Sequence, residues 1–472
     1  MSQLNLVSLL GIFVMLAMAW SISSHRTKVN WGLVVAGIFL QAVLAAVLFQ
    51  SRSWTFDGQF ENGILFAAVD GFFTSILAWV EKGSGFMFGI NGLAADDPTN
   101  PKAMLKTFAF GVLPTVIFFA ALMSVLYHIG LMQLLIRGMA WVMKKTLGIS
   151  GPESLAMAAN VLVGHTEAPL VIKPYVARMT RSELNALMVG GFATISGSLM
   201  AIFVNLGVSA GHILSASIIS APAAIVIAKI LQPEIDTPAD VRQSDAASEK
   251  LATNVIEAAA IGASDGMKLA INIAAMLIAF LAIIAMIDAL LGGVGELIQY
   301  LVNVAGLGES ILAATSPVGL DGFFNFVFND TGRLDVDLQW SLSSLFGLVF
   351  YPLAWVMGIE ARDCLLAGDL LGKKMVINEF VAYYEMSEAV IRPDDASFVA
   401  GSLSERSKVI LTYALCGFSN FGAIGIQIGG IGPLAPERRG DLAQLGMRAM
   451  FGGMLACCMT ACMAGVMYGL LS

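Results

Sequence analysis

Two glutamates lie in the middle of apolar stretches. Glu167 ends the run Gly164-His165-Thr166-Glu167, and Glu379 follows Asn378. A carboxylate halfway along an apolar segment is costly in lipid, so it faces protein or a wet cavity and marks a path for a solute or ion. Hydrogen-bonding side chains accompany the two acids: Asn160, His165, Thr166, Thr194, Asn378 and Asn420, with Phe418 adding an aromatic face. Carboxylates accept bonds from hydroxyls, and amides offer donors and acceptors side by side to a planar edge. The set suits a neutral, polar solute bearing hydroxyl and amide groups. Helix breaks at such positions would also free backbone carbonyls, which are oxygen ligands for a hard cation such as sodium.

The chain that must position these groups has 472 residues, 57% of them hydrophobic and only 13% charged, where a soluble chain carries roughly 25% charged residues. Its mean hydropathy is +0.79. So few charges cannot cover a water-soluble particle of this size, and the surface must be largely apolar. The net charge of −8 is spread along the chain and leaves no basic stripe for nucleic acid. Cys364, Cys416, Cys457, Cys458 and Cys462 lie in apolar runs without zinc spacing, which argues against a metal centre or a disulfide framework. No zinc-hydrolase motif is present, no catalytic residue is assigned and the chain is not read as an enzyme.

Runs near the spanning length occur at 4–22, 31–50, 107–127, 184–206, 211–232, 269–292, 409–431 and 444–471. The first has its basic residues, Arg26 and Lys28, after it rather than before it, and reads as an uncleaved span. Residues 60–80 read as an interfacial helix, and 128–148 and 339–358 as amphipathic or broken segments. The stretches 152–179 and 361–388 carry the mid-segment acids and read as re-entrant hairpins, because non-helical backbone at membrane depth is tolerated only around a protein-lined cavity. The fold expected is an all-α integral membrane protein with about eight transmembrane helices, two re-entrant hairpins, interfacial helices and inverted repeats. Residues 1–103 hold two spans and an interfacial helix, and 104–233 the first repeat. A polar loop with an interfacial helix occupies 234–265, and the second repeat 266–472.

The repeat rests on matched features. Ala140-Trp141-Val142-Met143 recurs as Ala354-Trp355-Val356-Met357. Glu167 and Glu379 follow the two tryptophans by 26 and 24 residues, and Gly191-Phe192 and Gly417-Phe418 come next. Polar Thr194 and Asn420 lie just beyond. Each repeat has an odd number of full crossings, so the second begins on the opposite side and the repeats are inverted. Inverted repeats with broken helices meeting at the midplane are the architecture of secondary transporters. Lys and Arg weight the segments holding Arg26, Lys144, Lys145, Arg178, Arg438 and Arg448 toward the cytoplasm. That places the N-terminus outside, in a multi-pass protein of the cytoplasmic (inner) membrane.

The strings GHTEAPLVIKPYVARMTRSEL (164–184), GGFATISGS (190–198), INEFVAY (377–383) and CGFSNFGAIGIQIGGIGPLAPERR (416–439) resemble the concentrative nucleoside transporter family. Looser similarity runs from about Phe86 to the C-terminus. The resemblance implies a homotrimer and cation-coupled uptake of nucleosides. It also implies an elevator-like movement of the hairpin-bearing part against a trimeric scaffold. It assigns base recognition to His165, Thr166 and Glu167, with Leu199 as an apolar contact. Sugar recognition falls to Glu379, Phe418 and Asn420. Sodium, a co-substrate rather than a cofactor, falls to Asn160, the Val163 carbonyl, Thr194 and the Ile195 carbonyl. Two positions depart from the family pattern. His165 replaces a glutamine at the first tip, and an imidazole both reaches differently and titrates. Ala423 replaces a serine on the sugar side, removing one hydroxyl. Both departures leave the preferred nucleoside open, including a modified nucleoside or related compound. Proton coupling through His165 and the two acids is the alternative to sodium.

Overall fold

The computed structural model describes residues 3–50, 53–54, 60–61, parts of 71–87, 113–165, 168–238, 252–305, 341–391 and 403–471. Among these the long elements are all helices, since helices satisfy their own backbone groups in lipid. A two-residue antiparallel ribbon, Ser53–Trp54 against Phe60–Glu61, is the exception. It occupies the start of the stretch expected as an interfacial helix over 60–80, most of which lies outside the described residues. The 234–250 loop falls largely outside them too.

In chain order the helices are α1 (Gln3–Ser21), α2 (Trp31–Gln50), α3 (Leu113–His128), α4 (Leu131–Leu147), α5 (Gly151–Leu162), α6 (Ala168–Val171), α7 (Lys173–Val176) and α8 (Arg181–Ala193). There follow α9 (Gly197–Asn205), α10 (Ala210–Leu231), α11 (Val255–Ala305), α12 (Leu342–Val356), α13 (Cys364–Val376), α14 (Glu379–Ile391), α15 (Glu405–Leu415), α16 (Phe421–Ile431) and α17 (Arg439–Leu471).

Four spans are long and apolar enough to cross a membrane among the described residues: α1, α2, α10 and Pro436–Leu470, which contains most of α17. The helices α3 and α4 bend by 76° at Ile129-Gly130. The runs 184–206 and 409–431 are each broken in two, as α8/α9 and α15/α16. The run 269–292 lies inside α11, whose 51 residues extend roughly 75 Å at about 1.5 Å each. This helix starts before residue 266, the boundary expected for the second repeat. The chain is one helix through that boundary, with no proline from Val255 to Ala305. Gly262 and Gly266 do not break it, because they seat it on α3. A Cβ at Gly262 would lie 2.5 Å from the Ala120 carbonyl oxygen, and one at Gly266 2.7 Å from the Ile117 Cα. Close approach through glycines four apart is a common way to pack helices in lipid.

The interior is built around α17, which packs on α1, α8, α10 and α15. Apolar side chains are exposed on α1, α2 and α11, among them Phe13, Val35, Phe39 and Ile278. The two Ala-Trp-Val-Met strings have matching surroundings. Ala140, Met143, Ala354 and Met357 are buried, while Trp141 and Trp355 are exposed.

A buried ion cluster pins the base of the first hairpin segment. Lys229 Nζ, near the end of α10, lies 2.9 Å from Glu153 Oε1 on α5 and 3.2 Å from Glu234 Oε2. It also donates to Ser182 Oγ at 3.0 Å. Thr180 caps α8 in a reciprocal pair with Glu183, and its hydroxyl donates to Glu234 at 3.0 Å. The starts of α5 and α8 and the end of α10 are thus held at one point. Losing one partner of such a buried cluster costs about 3–5 kcal/mol, because a charge is stranded. Lys229→Met should therefore lower the apparent melting temperature in detergent markedly, and adding Glu153→Gln should restore part of it. A parent-like melting temperature in the single variant would contradict this role.

Candidate functional site

Helix breaks create the site. The first lies between α5 and α6. Gly164 has φ +90° there, and a Cβ on it would come within 2.6 Å of Ser196 Cβ. Left-handed backbone in tight contact is a glycine position. The tip is therefore docked against the α8/α9 break at Thr194–Ser196. Beyond the tip the returning arm is two short helices, α6 and α7, interrupted at Ile172 ahead of Pro174. The second hairpin segment turns between α13 and α14 at Ile377-Asn378. Asn378 caps α14, its Oδ1 accepting from the Val381 N–H at 2.9 Å. The fourth break, between α15 and α16, contains Gly417, whose φ is +155°. A Cβ at Gly417 would lie 2.6 Å from the Phe192 carbonyl oxygen, which already accepts from Ser419 Oγ at 3.1 Å. The α8 and α15 breaks therefore touch.

Among the residues expected to bind solute, the structure brings two pairs together. Asn420 Nδ2 donates to Glu379 Oε2 at 3.2 Å. The same Asn420 caps α16, its Oδ1 accepting from the Ala423 N–H at 2.8 Å. The His165 ring meets Phe418 edge-on, with centroids 4.3 Å apart and 61° between planes. Glu379, Phe418, Asn420, Ala423 and His165 are all buried, as is Leu199 in the first turn of α9. Leu199 belongs to the same buried apolar cluster as Phe418 and Ala423. Thr166 and Glu167 lie outside the described residues.

Of the residues expected around sodium, the structure joins Asn160 and Thr194. Thr194 Oγ1 donates to the Asn160 carbonyl at 3.0 Å and to the Gly190 carbonyl at 2.9 Å. Asn160 Nδ2 donates to the Leu187 carbonyl at 3.2 Å, and its Oδ1, fully buried, has no partner. Val163 ends α5 and Ile195 lies in the α8/α9 break. These are positions where a helix has no further turn to occupy its carbonyls. An orphaned amide oxygen beside chain-end carbonyls and a hydroxyl is a neutral oxygen set, and it fits a monovalent hard cation. Among the described residues, no group of three or more His, Cys, Asp or Glu could hold a metal.

Two buried groups near the site were not singled out by sequence. Lys374 Nζ donates to the Ala414 carbonyl at 2.7 Å, placing a cation on the C-terminal end of α15. Its signal in the sequence was a lysine inside the apolar stretch 361–388. Gln427 is the other. It is an amide alone in the apolar run around it, seven residues past Asn420, and it donates to the Met188 carbonyl at 3.2 Å.

With this geometry in hand, likeness to known proteins is informative. Three family models match. Residues 10–91 and 212–465 match those described as the Na+ dependent nucleoside transporter N-terminus and C-terminus, and 109–210 that described as nucleoside recognition. A Haemophilus influenzae protein described as an uncharacterized transporter is 40% identical over 98% of both chains. The sodium/nucleoside cotransporter 1 of Rattus norvegicus is 37% identical over 98% of this chain, which spans 64% of that protein's length. Two solved structures of CNTnw, one outward-facing and one inward-facing with substrate bound, each align with a TM-score of 0.80 at 36% identity. The outward-facing structure covers 100% of this chain and 99% of its own, and the inward-facing one 99% of both. These proteins are transporters, not enzymes, and the chain belongs to their family, the concentrative nucleoside transporters.

Proposed function

We propose that the protein is a sodium-coupled symporter importing nucleosides across the cytoplasmic membrane. The observation that carries this reading is the pairing of Glu379 with Asn420 beside the His165–Phe418 contact. Such a site has a carboxylate and an amide for a sugar, and an aromatic edge and an imidazole for a base. Asn420 uses its oxygen on the α16 cap and one N–H on Glu379, so its second N–H remains for a sugar oxygen. Glu379 accepts from hydroxyls that every nucleoside carries. Thr166 and Glu167 would complete base recognition, with Leu199 as an apolar wall.

Sodium would bind Asn160 Oδ1, Thr194 Oγ1 and the Val163 and Ile195 carbonyls. Those groups belong to α5 and to the α8/α9 break against which Gly164 docks, so an ion there stiffens the tip that carries His165. An ion that orders the site favours the second ligand, and the coupling is reciprocal.

In this reading 152–179 and 361–388 are re-entrant hairpins in two inverted repeats, with about eight crossings and three protomers per assembly. The close α3–α11 pair forms the static scaffold, and the hairpins with α8, α15 and α17 move as the carrier. The matched burial of the two Ala-Trp-Val-Met strings supports the repeat. The outward- and inward-facing states of the CNTnw structures support alternating access.

Purified protein in proteoliposomes should take up labelled nucleoside only down an imposed sodium gradient. Asn160→Ala should raise the sodium concentration needed for half-maximal uptake while leaving a folded protein. Uptake in the parent indifferent to sodium, yet dissipating a proton gradient, would overturn sodium coupling. Glu379→Gln keeps volume and loses a charge-assisted acceptor worth roughly 1.5–3 kcal/mol. Affinity for all nucleosides should fall by about one to two decades, as read by competition against uptake. Equal affinity in parent and variant would remove Glu379 from the site. Topology is checked separately. A cysteine at Arg178 should react with impermeant thiol reagents from the cytoplasmic side, and one at Glu360 from outside. Labelling of both from one face would exclude the inversion.

A further inference from the structure

A polar cavity of about 230 Å³ lies at the start of α8, a helix length from the break that follows that helix. Its walls come from Ser24 and His25 in the α1–α2 loop, Arg181 and Ser182 on α8, the 232–236 segment after α10, and Arg448 on α17. The volume is below the roughly 300–1,000 Å³ of pockets that enclose a whole small molecule. The cavity therefore suits one polar group and leaves the remainder of a ligand outside.

Donors with spare capacity line it. Gln232 is 6% exposed, and its side-chain oxygen accepts from Arg448 Nη1 at 3.0 Å. A guanidinium can only donate, so the amide orientation is fixed and the NH2 group turns the other way. That NH2 group has no partner among the described residues, on a side chain that borders the cavity. A buried amide with an idle donor calls for an acceptor. Arg448 forms no ion pair among the described residues. Arg181 is only partly neutralised. Its Nε lies 3.8 Å from Asp441 Oδ1, while Asp441 Oδ2 accepts from Arg438 Nε at 2.8 Å. Its Nη2 donates to Gln444 Oε1 at 2.9 Å, a neutral acceptor. The first-turn N–H groups of α8 have no intrahelical acceptor, and the helix dipole adds positive potential at the same wall. The acids of the wall are Glu234 and Asp236. Lys229 at 3.2 Å and the Thr180 hydroxyl at 3.0 Å already engage Glu234, which leaves Asp236 against two arginines.

We propose that this cavity is a binding site for a phosphate ester, with Arg448, Arg181 and the Gln232 NH2 group as its donors. These donors come from three separate elements. A tetrahedral anion with several acceptor oxygens can meet all three, whereas a planar carboxylate engages one guanidinium edge. The loop side is fixed, because the Ser24 N–H donates to the Leu231 carbonyl at 2.9 Å. Ile22 and Ile235 give the mouth exposed apolar surface. Arg26 lies over the exposed Trp20 ring, 5.5 Å from its centroid. Tryptophan, cations and apolar side chains together are the composition of a membrane interface. The ester can therefore reach the cavity on a lipid headgroup or from solution, and in the topology proposed above it does so on the cytoplasmic side. Once bound, it bridges α8 and α17 beside the Lys229 cluster, which shares Ser182 and Glu234 with the cavity wall.

The test titrates full-length protein in non-ionic detergent, at fixed sodium and ionic strength, with two probes. One is soluble glycerol 3-phosphate, set against glycerol. The other is mixed micelles carrying phosphatidylglycerol, set against diacylglycerol. The melting temperature should rise saturably with at least one phosphate-bearing probe, by about 2 °C or more at saturation. Arg448→Gln and Arg181→Gln should each weaken the apparent affinity by about tenfold, the scale of a charge-assisted hydrogen bond. Arg181 is half-exposed, so its variant carries the test should Arg448→Gln fail to fold. Removing two exposed charges elsewhere, Arg137→Gln with Lys144→Gln on α4, should leave the affinity within about twofold. A response to both probes assigns the site to phosphate esters at large. A response to the lipid alone assigns it to a headgroup, and one to glycerol 3-phosphate alone to a soluble ester. No saturable shift in the parent, parent-like affinity in the arginine variants, or an equal loss in the α4 variant would overturn the proposal. The readout needs no transport, so its failure leaves the nucleoside reading standing.

Discussion

The constraint on which the site depends is that a helix broken inside an apolar protein leaves backbone donors and acceptors that water cannot reach. Each break here is answered by a particular side chain. Asn378 caps α14 and Asn420 caps α16. Lys374 covers the Ala414 carbonyl at the end of α15, and Ser419 covers that of Phe192 near the end of α8. Thr194 bonds back to Gly190 and across to Asn160. Capping and recognition are consequently not separate inventories. Asn420 holds the start of α16 with its oxygen and reaches Glu379 with its nitrogen, so a substitution there disturbs both.

Apart from Lys374 the capping groups are neutral, and the paired charges lie elsewhere. Two ion clusters lie along the segments expected as hairpins. Glu153, Lys229 and Glu234 clasp α5 to α10, while Lys373 joins Asp369 to Glu385 between α13 and α14. At the breaks, the binding groups are mainly amides, hydroxyls and carbonyls, with Glu379 bonded to Asn420. The first ties the start of α5 to α10, and the second ties α13 to α14. Neutral groups at the breaks can exchange partners at lower desolvation cost when a solute arrives or leaves.

Much of this was legible in the sequence, because polar residues inside apolar runs have few structural excuses. The resemblance grouped Asn420 with Glu379, and the order of elements in each half included a broken helix, which the structure places after Ala193 and Leu415. The splitting of the arm after the first tip at Ile172 was not read, although Pro174 signals it. Nor was the continuity of α11 foreseen. Gly262 and Gly266 look like weak points in one dimension, and only the proximity of Ala120 and Ile117 makes them packing sites. Gln427 was passed over because its period places it on a face with Ala423 and Ile431, where it reads as one odd member of an apolar stripe. Its meaning depends on Gly191, which belongs to a different helix.

Pairing also separates residues that merely cap from those that have binding capacity to spare. The bland account of Thr194, a hydroxyl bonding its own i−4 carbonyl, is correct for one of its two contacts. It leaves the neighbouring atoms unexplained. Asn160 Oδ1, both nitrogens of His165 and Gln427 Oε1 are buried without partners, and an unsatisfied buried polar atom costs about 1–3 kcal/mol. All three residues border one diglycine step of α8. A Cβ at Gly190 would lie 2.9 Å from Asn160 Nδ2, and one at Gly191 would meet His165 and Gln427. Any side chain at either position would push these groups apart. The glycine pair therefore holds the amide assigned to the ion, the imidazole assigned to the base and the amide behind it within reach of one another. The unsatisfied atoms thus belong to residues that meet along one backbone step of α8.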